Sequence, residues 1–131
     1  MTLREIARVV EAQFLTGADL ADREVRAAFA ADLLSDVLAM VREEGVLLIT
    51  GTVTTQVVRV AEVMNLAGVL FVRGKVPAKA TVDYAASAGI PLLATEHLMY
   101  ETCGLLFAHG LPPAKRKRLP AEHDGPYPSP P

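Results

Sequence analysis

Three short segments of the chain carry the residue types that hold anions. Gly51-Thr52-Val53-Thr54-Thr55 follows an apolar run and precedes a helix-like stretch. Backbone N–H groups and hydroxyls in that setting can hold a phosphate or carboxylate at a helix N-terminus. The plainer reading of the same residues is a threonine cap. Arg73-Gly74-Lys75 ends the next apolar run, and Thr95-Glu96-His97 ends a third. Gly74 permits a positive φ or a close backbone approach, with a cation on either side; the alternative there is a solvated turn. No P-loop lysine follows Gly51 and no G-x-G-x-x-G occurs, so neither mononucleotide nor dinucleotide fingerprints are present. Gly51, Thr52, Thr54, Arg73, Gly74, Lys75 and Thr95 form the candidate ligand-binding set. Their mixture of Thr, Arg and Lys suits a small anion, a nucleotide or phosphometabolite.

Residues that could support catalysis do not assemble into a constellation. His97 has no nucleophile with an orienting partner at a useful spacing. Cys103 is the only cysteine, six residues from His97 and off its helical face, and reads as a core thiol. His109 and His123 are not spaced with it as metal ligands. Asp32 and Asp36 fall at i, i+4; paired carboxylates can bind a metal, but the expected roles are a helix cap for Asp32 and a solvated surface for Asp36. Met40, Met64 and Met99 read as core filler. The sequence predicts no enzyme, metal site or cofactor.

Composition narrows the class further. The 131 residues are 51% hydrophobic and 21% charged, enough for one domain with a real core. Formal net charge is −2, and without the last twenty residues nine basic residues face thirteen acidic ones, a balance of −4. An acidic body with 5% aromatics and no Trp argues against nucleic acid as a partner. A single cysteine excludes an intrachain disulfide. No apolar stretch reaches the length of a membrane span, and the N-terminus lacks a signal-peptide core, so a cytoplasmic location is expected.

The elements that position the candidate residues are legible in the apolar pattern. Val46–Thr50, Val69–Arg73 and Pro91–Thr95 recur about every 22 residues, each followed by a helix-like stretch. Such short Val/Leu/Ile runs read as strands buried on both faces. The pattern predicts strands over 46–50, 69–73 and 91–94 and helices over 54–65, 77–88 and 97–109, with Pro77 at the first helical position and Gly110 as the last stop. Upstream, Thr2-x-x-Glu5 has the form of a capping box before a helix over 3–11. Residues 12–15 suit a short strand, 25–31 a strand or a helix, and 32–42 a helix ended by Gly45. Strands alternating with amphipathic helices give a small, mostly parallel α/β sheet with flanking helices, and ligands in such sheets sit beyond the strands' carboxyl ends. Seven of the nine prolines lie beyond Leu111, beside the basic run Lys115–Arg118. The composition predicts a domain over 1–111 and a disordered tail over 112–131.

The order and spacing of A31-D32-L33-L34-S35-D36-V37-L38, L47-L48-I49-T50-G51, V69-L70-F71-V72-R73-G74-K75 and I90-P91-L92-L93-A94-T95 resemble the DRTGG domain family, over roughly residues 3–110. Its fold is shared with the N-terminal domain of the HPr kinase/phosphorylases. The chain departs from the family's namesake residues. Gly51-Thr52-Val53 stands where many members carry Gly-Asp-Arg, and Val72-Arg73-Gly74 where they carry Thr-Gly-Gly. The resemblance implies a non-catalytic regulatory or adaptor domain, found beside CBS domains or enzymes and prone to dimerise.

The expectation is therefore a regulatory module that binds a small anionic ligand at its strand ends, forms a homodimer, and has no membrane partner. The alternative is a protein–protein adaptor whose ligand site is vestigial.

Overall fold

Side chains that alternate along the central strands divide the core into two. The computed structural model describes residues 1–115, in the order α1 (Leu3–Val9), β1 (Gln13–Thr16), a 3-10 turn (Ala18–Leu20), β2 (Ala27–Ala30), α2 (Leu34–Met40), β3 (Val46–Thr50), α3 (Thr55–Val63), β4 (Gly68–Phe71), α4 (Lys79–Ala88), β5 (Leu92–Ala94) and α5 (Met99–Ala108). The five strands form one sheet ordered β1-β5-β4-β3-β2. Strands β2 to β5 are parallel neighbours, and β1 closes one edge antiparallel to β5. Val46 and Leu48 of β3, Val69 and Phe71 of β4 and Leu92 of β5 pack on one face, with Val37, Val57, Val58, Ala61 and Ala85 of α2, α3 and α4. Leu47, Ile49, Leu70 and Leu93 pack on the other, with Leu3 and Ile6 of α1 and Leu106 of α5. The period of two in a strand makes this division inevitable once both faces are covered.

The predicted α/β architecture with its mostly parallel sheet is the observed one, and the ambiguous 25–31 segment resolves as strand. At the first helix, Thr2 Oγ1 accepts from the Glu5 N–H at 3.2 Å. Two local expectations fail. Pro77 is not the first residue of α4, because Ala78 is still extended (φ −61°, ψ 154°) and the helix starts at Lys79. Asp32 does not cap α2, because Leu33 holds the N-cap position without a side-chain bond. Past residue 111, Pro112 carbonyl accepts from Ala28 N–H and Ala114 N–H donates to Ala28 carbonyl, so contact with the β2 edge continues beyond the expected domain limit. The rest of the expected disordered tail, from residue 116, lies outside the described residues.

Candidate functional site

Three loops meet beyond the carboxyl ends of β2, β3 and β4, and their meeting point is Gly51. The Gly51 N–H donates to Asp32 Oδ1 at 2.7 Å, and Thr50 Oγ1 donates to the same oxygen at 3.3 Å. A charged acceptor makes the first of these a strong bond. Thr52 Oγ1 donates to the Asp32 carbonyl at 2.9 Å, and Thr52 N–H donates to Thr50 Oγ1 at 3.1 Å. The β2–α2 and β3–α3 loops are thereby sewn together. Asp32 was not in the predicted set, and the helix-cap pattern around it concealed a contact made across the sheet.

Arg73 reaches the same glycine from the other side. A Cβ on Gly51 would lie 3.0 Å from Arg73 Nη2, 3.4 Å from Nε and 3.4 Å from Asp32 Oδ1. Glycine lets the guanidinium settle this close; a side chain would displace that movable end by a few tenths of an ångström. Arg73 has φ +62° and Gly74 φ +66°. A left-handed arginine is costly unless its surroundings fix it. Arg73 N–H donates to the His97 carbonyl and Gly74 N–H to the Thr95 carbonyl, both at 2.9 Å, which fixes it. Among the described residues Arg73 forms no direct ion pair, although the Asp32 carboxylate stands beside the same glycine. Lys75 is exposed on the same turn.

The remaining predicted residues divide. Thr54 is the N-cap of α3 and makes no side-chain cap bond, so the simple threonine-cap reading does not hold. The neighbouring Thr55 instead shares a 2.8 Å hydroxyl contact with Thr81 of α4. Thr95 is buried, its hydroxyl donating to the Val10 carbonyl at 2.7 Å and accepting from His97 N–H at 3.2 Å. Its hydroxyl is spent on these two bonds and holds the frame of the site. Glu96 packs against Gly74, where a Cβ would meet its Oε2 at 2.6 Å. The loop cluster therefore joins Gly51, Thr52, Arg73 and Gly74 with Asp32.

Of the groups weighed for catalysis, His97 touches the site only through its carbonyl, and its ring is engaged with carboxylates. His97 Nδ1 is 2.7 Å from Glu101 Oε1 and Nε2 is 3.3 Å from Glu11 Oε1. The Glu101 contact above all holds the imidazolium and raises its pKa, against a smaller desolvation effect. Cys103 is half-buried and its thiol is pushed up by burial, away from the thiolate a nucleophile requires. It lies on the wall of an apolar cavity of about 370 Å³, between α5 and the face of β2, with Ala28, Ala30, Gly104 and Phe107. Among the described residues no group of three His, Cys, Asp or Glu side chains is placed to hold a metal ion, and no helix is long and apolar enough to cross a membrane.

The fold is similar to that of the CBS and DRTGG domains of the regulatory region of Clostridium perfringens pyrophosphatase, crystallised with its activator diadenosine tetraphosphate. The TM-score is 0.66 at 16% identity, over 90% of this chain and 52% of that one. The chain thus spans about half the length of that regulatory region. A search of the curated protein sequences finds no match. The model of the DRTGG domain matches residues 5–109, and on that match the chain belongs to the DRTGG domain family.

Proposed function

We propose that this chain is a non-catalytic regulatory module that binds a small anionic ligand, a nucleotide or phosphometabolite, at the carboxyl ends of β3 and β4. One observation carries the reading: an arginine that forms no direct ion pair among the described residues is held in a left-handed conformation, with its guanidinium against a glycine at a strand end. Strand ends are where ligands sit in open α/β sheets. Gly51 and Thr52 form the base by shape alone, because their N–H groups and Thr52 Oγ1 are already bonded to Asp32 and Thr50; Arg73 supplies the charge, Lys75 and Thr54 stand at the rim, and Gly74 and Thr95 shape the turn behind Arg73. The similar fold in a regulatory region whose activator is a dinucleotide supports a nucleotide as the ligand class.

The test is a thermal-shift panel of mononucleotides, diadenosine tetraphosphate, sugar phosphates and small carboxylates on the whole chain and on Arg73→Ala. A ligand at about 100 times its Kd adds roughly 2.7 kcal/mol of stability, a shift of several degrees. A hit lost in Arg73→Ala is the expected result. A hit that survives the substitution unchanged removes Arg73 from the site, and a panel without a hit rejects the reading.

The second face of the sheet favours self-association of the same module. Tyr100 is 91% exposed and Phe107 69% exposed, both at the mouth of the apolar cavity beside β2. An uncharged patch that combines a hollow with projecting aromatics can be buried against its own copy by a two-fold axis. Sedimentation velocity over a concentration series should show a dimer. A monomer at every concentration would reject it.

A further inference from the structure

Asp32 gives the site a second charge, and that charge has a consequence for which anions it accepts. The Asp32 carboxylate occupies the Gly51 N–H that a bare phosphate would otherwise take. Both of its bonds fall on Oδ1; among the described residues Oδ2 has no partner. An incoming phosphate that approaches Arg73 therefore meets a carboxylate beside the same glycine. Like charges at that range repel, and this repulsion discriminates between ligands. A ligand escapes it when it brings a hydrogen-bond donor next to its anion. The hydroxyl then bonds to Oδ2 while the phosphate bonds to the guanidinium.

In the sheet order, β2 and β4 flank β3, and both side chains converge on Gly51: a Cβ there would lie 3.0 Å from Arg73 Nη2 and 3.4 Å from Asp32 Oδ1. A ligand that carries an anion and a hydroxyl can meet the guanidinium and the carboxylate at once, because the two stand beside the same glycine. We infer that Asp32 is the specificity-determining residue of the site, and that it selects phosphate esters carrying free hydroxyls, ribonucleotides or sugar phosphates, over bare phosphate and over hydroxyl-free esters. The inference rests on the anion-binding reading above. A hydroxyl bond to a charged acceptor is worth enough to give at least about tenfold discrimination.

The experiment compares adenosine 5′-monophosphate, its 2′,3′-dideoxy form and inorganic phosphate by calorimetric titration of the whole chain, Asp32→Asn and Arg73→Ala. Asparagine keeps an oxygen for the Gly51 N–H, so Asp32→Asn preserves the loop junction; its melting temperature checks this. The expected result is that the unmodified chain binds the ribonucleotide at least about tenfold tighter than the dideoxy form. In Asp32→Asn that preference shrinks, and inorganic phosphate binds more tightly than before. Equal affinity for the two nucleotides in the unmodified chain overturns the inference; if Arg73→Ala still weakens both, the anion site itself stands. An unchanged hydroxyl preference in Asp32→Asn also overturns it. No binding of any of the three probes to the unmodified chain overturns this inference and counts against the anion site together.

Discussion

The two faces of the sheet are built from the same alternating strands but are closed to different degrees. On one face α2, α3 and α4 lie over β2 to β5, and fifteen buried residues form a continuous cluster. On the other, α1 and α5 cover the sheet and leave the hollow of about 370 Å³ beside β2. The cause is topological. The strands β2, β3, β4 and β5 are laid down in one direction, and crossovers of one hand then place every connecting helix on one side. The second face receives only α5, which follows the parallel run, and α1, which precedes the antiparallel β1. Two helices leave part of that face open, and the shortfall appears as the hollow between α5 and β2.

The sharpest way to test that contrast is to truncate an aromatic on each face. Phe71 is fully buried on the first face. Phe71→Ala should cost about 3–5 kcal/mol, from lost burial plus an unfilled cavity. Phe107 is on the rim of the second-face hollow and mostly exposed. Phe107→Ala should change stability by no more than about 0.5 kcal/mol in dilute solution. Urea denaturation at low protein concentration reads both. Comparable losses at the two positions would mean the second face is as tightly closed as the first, and the comparison would break.

A smaller effect of opposite sign is expected at Gly104. This glycine lies within α5 on the wall of the hollow, and a Cβ there would meet nothing within 4 Å. Glycine inside a helix is less stable than alanine by about 0.5–1 kcal/mol. Gly104→Ala should therefore raise stability by about that amount, measured by the same denaturation. A loss instead would show that the hollow is filled by a neighbouring group, which is the result a closed second face predicts.

The contrast between faces also separates what the sequence discloses from what it conceals. The run Val46–Thr50 announces a strand buried on both sides because every one of its residues is apolar or small, and all five are buried. The strand ends carrying Gly51, Arg73 and Thr95 were legible for the same reason, since each apolar run stops there. What escaped was every contact that depends on which strands become neighbours. Asp32 reads locally as a cap, yet its partner is Gly51, brought alongside only by β2–β3 pairing. Thr95 reads as a ligand hydroxyl, yet it is spent on Val10, 85 residues away. Arg73 reads as an ordinary cation, and its left-handed backbone depends on carbonyls of the β5–α5 loop. Residue type locates a strand end; pairing decides which polar group at that end is free.

The weakest expected effect lies where the second face's two helices meet the candidate site. His97 contacts Glu101 of α5 and Glu11 at the end of α1, and its carbonyl receives the Arg73 N–H. The Glu101 contact is the main cause of a raised pKa. The histidine therefore binds its proton more tightly in the folded chain than in the unfolded one. Its contribution to stability is fully present below the unfolded value of about 6.5, and it is lost as pH rises through the higher folded value. All three side chains reach solvent, and exposed pairs are individually weak. The slope of stability against pH just above 6.5 should be slightly negative in the unmodified chain and flatter in Glu101→Gln, which keeps an acceptor but removes the charge. Equal slopes would mean that the tie between α1 and α5 is made by packing alone. In that case the second face would owe nothing to its polar rim, and the positioning of Arg73 would rest on the backbone bonds to His97 and Thr95.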